Sequence, residues 1–408
     1  MVRTDGDKRR SDEFRTYLAG LGSWFVAFGI GMVMVQWIVA DVLREPADRM
    51  GVAQMCLMGP AILFMLWGGA VADSGDPRRQ LLVCHGLAAL PPCGLALLAW
   101  RGELSFEAIV AYGLAVGTIT AFAIPARDGL LPRLASMPLP RAVALATAAQ
   151  FICQLLGIAA ATLADRVGGA ALLGAQALIV LAGASAVWRL PPVAIVRHDD
   201  APRGLAALAD GLRVARGSAA IWPVIALLFA VGLFYVATFM VALPIAVRDV
   251  YGGGSARLAM VNFAFWAGTI AASVAMMRIG AGLVRRGRAV VCALCGGMAI
   301  LAALSALPPF PVMLALVFVW GVGAGVTMTQ GRVIVQSATP DSHRGRVLAL
   351  FQLGFMGGGP IGAPIIGALA RAYDLTTAML AACAGMLVVV VVVVARSGIW
   401  RQRLQQAR

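Results

Sequence analysis

Chemistry in this chain would have to come from very few side chains. Of 408 residues, 13% are charged and three are histidine, His85, His198 and His343. His85 stands alone at the start of an apolar run and the other two lie in loops, so no group of His, Asp and Glu has the spacing of acid–base or metal chemistry. The seven cysteines, Cys56, Cys84, Cys93, Cys153, Cys292, Cys295 and Cys383, all fall inside apolar stretches, where cysteine behaves as a small hydrophobe. An odd, apolar set makes no disulfide framework, and the Cys292-x-x-Cys295 pair has no second pair of thiols or imidazoles near it. No G-x-x-x-x-G-K-[ST] loop occurs, so nucleotide hydrolysis by that route is excluded. The residue types argue against an enzyme, and neither cofactor nor metal is expected.

What remains is a sparse set of uncharged hydrogen-bonding groups inside apolar runs: Gln36, Thr118, Thr120, Gln150, Gln154, Thr238, Asn262, Thr327, Gln330 and Gln352. Polar groups within a bilayer need partners. They read either as a cavity lining for a large substrate of mixed polarity or as glue between helices. Gln150 and Gln154, four apart, share one helix face, and Trp37, Phe234, Tyr235 and Trp266 supply apolar surface. Asp41, five residues after Gln36, is the candidate for binding a coupling proton, since ionisable groups in membrane segments mark ion and proton paths. The alternative is an interfacial acid near Arg44 and Arg49.

The elements that carry these residues follow from composition. Hydrophobic residues make up 61% of the chain and mean hydropathy is +0.86, whereas soluble domains carry about 25% charged residues. Apolar runs of roughly 20 residues, enough to cross a bilayer, recur at 17–40, 50–72, 81–100, 106–124, 142–164, 168–188, 219–247, 258–277, 289–307, 310–329, 347–370 and 376–395. The spacing predicts an all-α polytopic membrane protein of twelve transmembrane helices. The first run is too long for a signal-peptide core and is expected to be kept. The net charge of +14 is scattered through short loops, which excludes the continuous basic stripe of a nucleic-acid binder.

Sorting the 33 basic residues by loop places 26 on the side of both termini and seven on the other. By the positive-inside rule both termini are then cytoplasmic. The organisation reads as a cytoplasmic arm at 1–16, a six-helix half at 17–188, a polar linker at 189–218, a second half at 219–395 and a tail at 396–408. The halves repeat. Arg78 and Arg79 find Arg285 and Arg286 at an offset of 207, and Arg127 finds Arg332 at 205. A parallel duplication of this kind is a transporter architecture, in which rocking of the halves exposes a central site to each side in turn.

After the second run the sequence reads Gly68-Gly69-Ala70-Val71-Ala72-Asp73-Ser74-Gly75-Asp76-Pro77-Arg78-Arg79-Gln80-Leu81-Leu82, which resembles the loop signature of the major facilitator superfamily. Ser74 and Pro77 depart from it, standing where that family usually has basic residues. Pro125-Ala126-Arg127, Leu130-Leu131-Pro132, Leu243-Pro244, Arg248-Asp249-Val250 and Gly252-Gly253-Gly254 are similar to the enterobactin-exporter-like branch. So are Pro340, Arg344-Gly345-Arg346-Val347 and Gly358-Gly359-Pro360-Ile361-Gly362, and the resemblance covers about residues 15–395. It implies the two-half major facilitator fold and a gating role for Asp73, Asp76, Arg78, Arg79, Arg127, Arg344 and Arg346. Asp73, at the end of helix two, would face the positive end of helix eleven and close the inner gate. The Gly-Pro pair that drug:proton antiporters carry in helix five is replaced by Gly157-Ile158, while helix eleven keeps Gly359-Pro360.

The expected function is therefore secondary active export of a small secreted metabolite, with a siderophore as the concrete substrate and a proton as the coupling ion, across a bacterial cytoplasmic membrane by a monomer. Multidrug efflux is the alternative within transport. A non-transporting membrane sensor or scaffold is the alternative of another class, although the arm, linker and tail are too short for a soluble output domain of 50 residues or more.

Overall fold

The computed structural model describes residues 5–192, 204–279, 285–340 and 343–400. Helices account for its regular structure, and no strand occurs among the described residues. In chain order they are α1 (Asp5–Trp37), continued by a π-turn at Ile38–Val42, α2 (Ala47–Ser74), α3 (Pro77–Ala88), α4 (Leu90–Arg101), α5 (Phe106–Leu134), α6 (Leu139–Ala161), α7 (Ala164–Val167) and α8 (Gly169–Trp188). There follow α9 (Gly204–Gly217), α10 (Ile221–Ala230), a π-segment at Val231–Val236, α11 (Ala237–Asp249), α12 (Ser255–Ile279), α13 (Arg286–Ser305), α14 (Phe310–Ala338), α15 (Arg344–Ala372) and α16 (Leu375–Arg396).

Eleven stretches among the described residues are long and apolar enough to span a membrane, α3–α4 and α10–α11 each counting as one. The twelfth is α2, whose 28 residues extend about 40 Å and carry no charge between Gly51 and Ala72. The third span is broken in two because Pro91 and Pro92 lack the amide protons that Leu87 and Ala88 would accept. Short turns are closed locally. Gly102 takes the left-handed conformation after α4 (φ 71°), and the Ser105 side chain caps α5 by accepting from the Ala108 amide at 3.3 Å.

One expectation needs correction, the end of the fourth span. The fourth span was expected to stop at residue 124, with Arg127 in a loop, but α5 runs through Pro125 and Pro132 to Leu134 and carries Arg127 on the helix. The stretch around Pro125 is tied to a neighbouring helix: Gln80 Nε2 of α3 donates to the Phe122 carbonyl at 2.9 Å. The linker expected as a polar connection contains α9, an amphipathic helix with Gly211 and Ala215 buried and Arg213 and Arg216 exposed.

The chain forms two compact units. Unit 1 comprises Met1–Leu43, Cys56–Gly204 and Gly254–Ala259; unit 2 comprises Arg44–Met55, Leu205–Gly253 and Met260–Arg408. Within unit 1, α1 crosses α6 where Gly29 and Gly157 face each other's helix. A Cβ at Gly157 would run into the Val26 carbonyl, and one at Gly29 into the Gln154 carbonyl. Within unit 2 the matching crossing is that of the Val231–Val236 segment with α15: Gly232 meets the Phe355 carbonyl, Gly358 the Phe229 carbonyl and Gly362 the Leu233 carbonyl. Backbones this close need residues without side chains, the means by which membrane helices gain packing contact when lipid is as apolar as leucine.

Candidate functional site

In unit 1 the charges beside the helix ends are used mainly to finish helices. Asp76 is the N-cap of α3, its side chain accepting from the Arg78 amide at 2.9 Å, with Pro77 in the first turn. The Arg78 guanidinium reaches back to the last turn of α8, donating to the Val187 carbonyl at 3.4 Å and to the Trp188 carbonyl. A cation at a helix C-terminus satisfies orphan carbonyls and complements the dipole. Arg79 is exposed. Arg127 pairs with Asp128 at 3.0 Å and lies over the Phe25 ring at 5.2 Å, while its carbonyl accepts from the Tyr17 hydroxyl at 3.2 Å. The side chain of Asp73 lies outside the described residues.

The corresponding end of unit 2 brings together residues that were not connected in the sequence. Asp210 of α9 accepts from Arg346 Nη1 at 2.5 Å and lies 3.3 Å from His343 Nε2 and 3.4 Å from Arg213 Nη1. Gly211 lets α9 approach Arg346, since a Cβ there would sit 3.2 Å from that side chain. Arg286 Nη1 donates to Gln330 Oε1 at 3.1 Å. The Arg344 side chain lies outside the described residues.

The uncharged polar set divides by what its members already hold. Thr118, Thr238 and Thr327 each donate to the carbonyl one turn earlier, Leu114, Phe234 and Gly323, at 2.7, 2.6 and 2.9 Å, so their hydroxyls face outward only as acceptors. Thr120, Gln150 and Gln352 are half-buried, and Gln36 and Asn262 are buried. Gln154 is buried with its Nε2 atom lacking a hydrogen-bond partner, and a buried unmade amide bond is costly enough to call for a ligand or water. It stands one turn from Gln150 on α6, at the glycine crossing with α1.

The partners of Gln176, Tyr235 and His85 were not legible, because nothing in their sequence neighbourhood marks them. Gln176 Nε2 donates to the Tyr112 hydroxyl at 3.2 Å, above Gly31. The Tyr235 hydroxyl donates to the Leu294 carbonyl at 2.7 Å and stacks edge-on to Trp320, which also meets Phe239 and Phe265. His85 is buried, its ring nitrogens 2.9 Å from the Leu81 carbonyl and 3.3 Å from the Gly20 carbonyl. These partners lie up to 65 residues away or on other helices, which no local pattern shows.

At the opposite ends of the spans Asp41 sits in the π-turn that closes α1, and its Oδ1 accepts from the Gly254 amide at 3.2 Å. Gly252, Gly253 and Gly254 all have positive φ (81°, 66° and 98°), which only glycine adopts readily. Tyr251, outside the spans, donates to the Pro308 carbonyl at 2.6 Å, and burial pushes its phenol above the ordinary value, keeping it a donor. No group of three or more His, Cys, Asp or Glu that could hold a metal ion occurs among the described residues.

Spans duplicated in two halves, with small-residue crossings and buried uncharged polar groups, define a membrane transporter of the major facilitator type. A family model described as "Transmembrane secretion effector" matches residues 14–401, and the chain belongs to that family. The protein is a multi-pass membrane protein of that family. It is similar to a staphyloferrin A transporter of Staphylococcus aureus (strain NCTC 8325 / PS 47), 27% identical over 148 residues. The match spans only about a third of each chain, 36% of either. Among solved structures it is similar in fold to the nucleoside transporter NupG (TM-score 0.71, 14% identity, 97% of this chain and 99% of that one). An auto-inhibited POT family peptide transporter gives a TM-score of 0.73 at 13% identity, covering 97% and 98%. An inward-facing bacterial homologue of the lysosomal transporter Spinster gives 0.65 at 14%, covering 99% and 100%.

Proposed function

We propose that the protein exports a small secreted metabolite, a siderophore, from the cytoplasm of a bacterium by alternating access, in exchange for protons. The observation that carries the reading is the match of nearly the whole chain, residues 14–401, to the transmembrane secretion effector family. The partial similarity to a staphyloferrin A transporter supports the substrate class, and the uncharged polar set with Gln154 at its centre suits a large ligand rich in hydrogen-bonding groups. The basic ends of the helices, with both termini, face the cytoplasm in this reading, and the domain limits follow the expected halves joined by the 189–218 linker.

Asp73, Asp76, Arg78, Arg79, Arg127, Arg344 and Arg346 form the inner gate in this reading, and Asp41 is the proton-coupling acid. Replacing Asp73 by Asn is expected to slow transport with membrane insertion intact, and Asp41→Asn to permit downhill exchange while abolishing accumulation driven by a pH gradient. The function itself is tested by comparing metabolites of medium and cell extract, with and without the protein, under iron limitation. A siderophore trapped inside cells lacking the protein is the expected result. Unchanged pools would overturn the siderophore assignment, and rescue of sensitivity to unrelated toxic compounds would replace it with multidrug efflux.

A further inference from the structure

We propose that His85 is a proton-binding site in the interior of unit 1, and that the bound proton draws α3 onto α1. The site's role in the transport cycle rests on the proposed exchange for protons, where it adds a second titratable group to Asp41. His85 lies about two turns into α3 and is buried, with 1% of its surface exposed. Its Nδ1 is 2.9 Å from the Leu81 carbonyl of its own helix, and its Nε2 is 3.3 Å from the Gly20 carbonyl of α1. A carbonyl oxygen only accepts, and a neutral imidazole carries one N–H. In the neutral ring one of the two contacts therefore sets a lone pair against an oxygen. The imidazolium, with a proton on each nitrogen, is the form that makes both bonds.

The packing of three helices fixes the ring there. A Cβ at Gly183 of α8 would lie 3.0 Å from His85 Cδ2 and run into the Ser23 hydroxyl, and one at Gly20 would lie 3.0 Å from Val187 Cγ2. The Ser23 hydroxyl donates to the same Gly20 carbonyl at 2.8 Å, and the Trp24 ring stands edge-on to the imidazole, centroids 5.1 Å apart. Beside the ring lies a cavity of about 10 Å³, walled by Tyr17, Trp24 and Arg127, which has room for a single water. The charged groups nearby are Arg127 of α5, paired with Asp128 at 3.0 Å, and Arg78 of α3, which donates to the Val187 carbonyl of α8 at 3.4 Å. The Tyr17 hydroxyl of α1 donates to the Arg127 carbonyl at 3.2 Å, and Cys84 is buried beside His85 in the chain.

Among the described residues no carboxylate lines this cavity, so a proton on His85 is held by carbonyl dipoles alone. A proton that must leave in every cycle needs a hold of that kind, because a carboxylate partner would favour the charged ring throughout. With the N–H on Nδ1, the closer contact, the neutral ring turns its Nε2 lone pair toward α1 and weakens the tie at Gly20. Protonation replaces that opposition with a hydrogen bond from a charged donor, the stronger kind. The proton is thereby converted into spacing between α3 and α1, the helix that carries Gly29 at the α6 crossing and Gln36 further on. An isolated histidine in an apolar run does not reveal this in the sequence, since Gly20 is 65 residues away.

The proton is read directly by solid-state NMR. The full chain, with 15N-labelled histidine and glycine 13C-labelled at the carbonyl, is placed in bilayers of phosphatidylcholine and phosphatidylglycerol and followed between about pH 5 and pH 9. His198→Gln and His343→Gln, both outside the spans, assign the signals by elimination. The expected result is a His85 ring with both nitrogens protonated at about pH 5 and one at about pH 8, and a dipolar coupling from Nε2 to the Gly20 carbonyl carbon that weakens as the proton leaves. His85→Gln, which keeps a donor for that carbonyl, should abolish the part of the tryptophan emission that changes with pH, as should Trp24→Phe. A ring with one protonated nitrogen at every pH overturns the proposal and makes His85 a packing residue. A ring doubly protonated throughout overturns it as well, since the proton is never released, and a titrating ring with an unchanged coupling to Gly20 overturns the tie to α1. None of these readouts needs a transported compound, so failure of the proton-exchange reading is recognised separately, as transport indifferent to a pH gradient while His85 still titrates.

Discussion

Two glutamines of unit 1 should respond in opposite ways to the loss of their amide. Gln80 Nε2 donates to the Gly68 carbonyl at 3.0 Å and the Phe122 carbonyl at 2.9 Å, tying α2 and α5 to the start of α3. Gln80→Leu leaves two carbonyls without that donor, so a loss of about 1–3 kcal/mol is expected, read as a lower melting temperature in detergent with substrate affinity unchanged in the surviving fold. Gln154 Nε2 has no internal partner. Gln154→Leu should therefore leave the melting temperature unchanged or higher and raise KM for the transported compound several-fold. A melting temperature lowered as far as that of Gln80→Leu would count against Gln154 as a ligand group. The sequence singles out Gln154, because an amide in an apolar run is conspicuous. Gln80 it treats as a spacer between Arg79 and Leu81, because the carbonyls it serves are 12 and 42 residues away. The threonines show the same limit, since residue type cannot reveal that Thr118, Thr238 and Thr327 donate within their own helices.

At the level of the helices, legibility was high where the bilayer dictates the answer and low where neighbouring helices do. Long uncharged runs must be helical because lipid offers the backbone no hydrogen bonds, so twelve spans could be placed from composition. Their ends could not: α5 continues ten residues past its expected limit, through two prolines, held by contacts with α3 and with Tyr17. The glycines follow the same division. Gly69 and Gly157 look alike in sequence, yet a Cβ at Gly69 meets nothing, while one at Gly157 would press into the Val26 carbonyl of α1. Gly69→Ala is expected to be neutral or slightly stabilising, by about 0.5–1 kcal/mol from helix propensity. Gly157→Ala must part α1 from α6 and should cost about 1–3 kcal/mol, with Gly358→Ala behaving likewise in unit 2. Thermal melting of the three variants, assayed side by side, checks the ranking. A Gly157→Ala protein as stable as Gly69→Ala would mean that the crossing is looser than the geometry requires.

For the molecule as a whole, the proposed orientation in the membrane rests on one physical bias. Twenty-six of 33 basic residues fall at the ends that share the termini, and moving arginine across a bilayer against the membrane potential during insertion is unfavourable. The bias is strengthened by use, because several of these arginines are bonded within the fold: Arg78 to the last carbonyls of α8, Arg288 to the Trp400 carbonyl at 3.0 Å, and Arg346 to Asp210 of α9. Reversing the topology would place these bonded guanidinium groups on the far side, so the fold and the orientation are set by the same residues. Two exposed positions separate the alternatives, Glu103 in the turn after α4 and Arg133 near the end of α5. With the native cysteines replaced, a thiol at Glu103→Cys is expected to react with an impermeant maleimide in intact cells, and one at Arg133→Cys only in inverted vesicles. The reverse pattern would overturn the cytoplasmic placement of the termini and put the basic ends of the helices on the outer face.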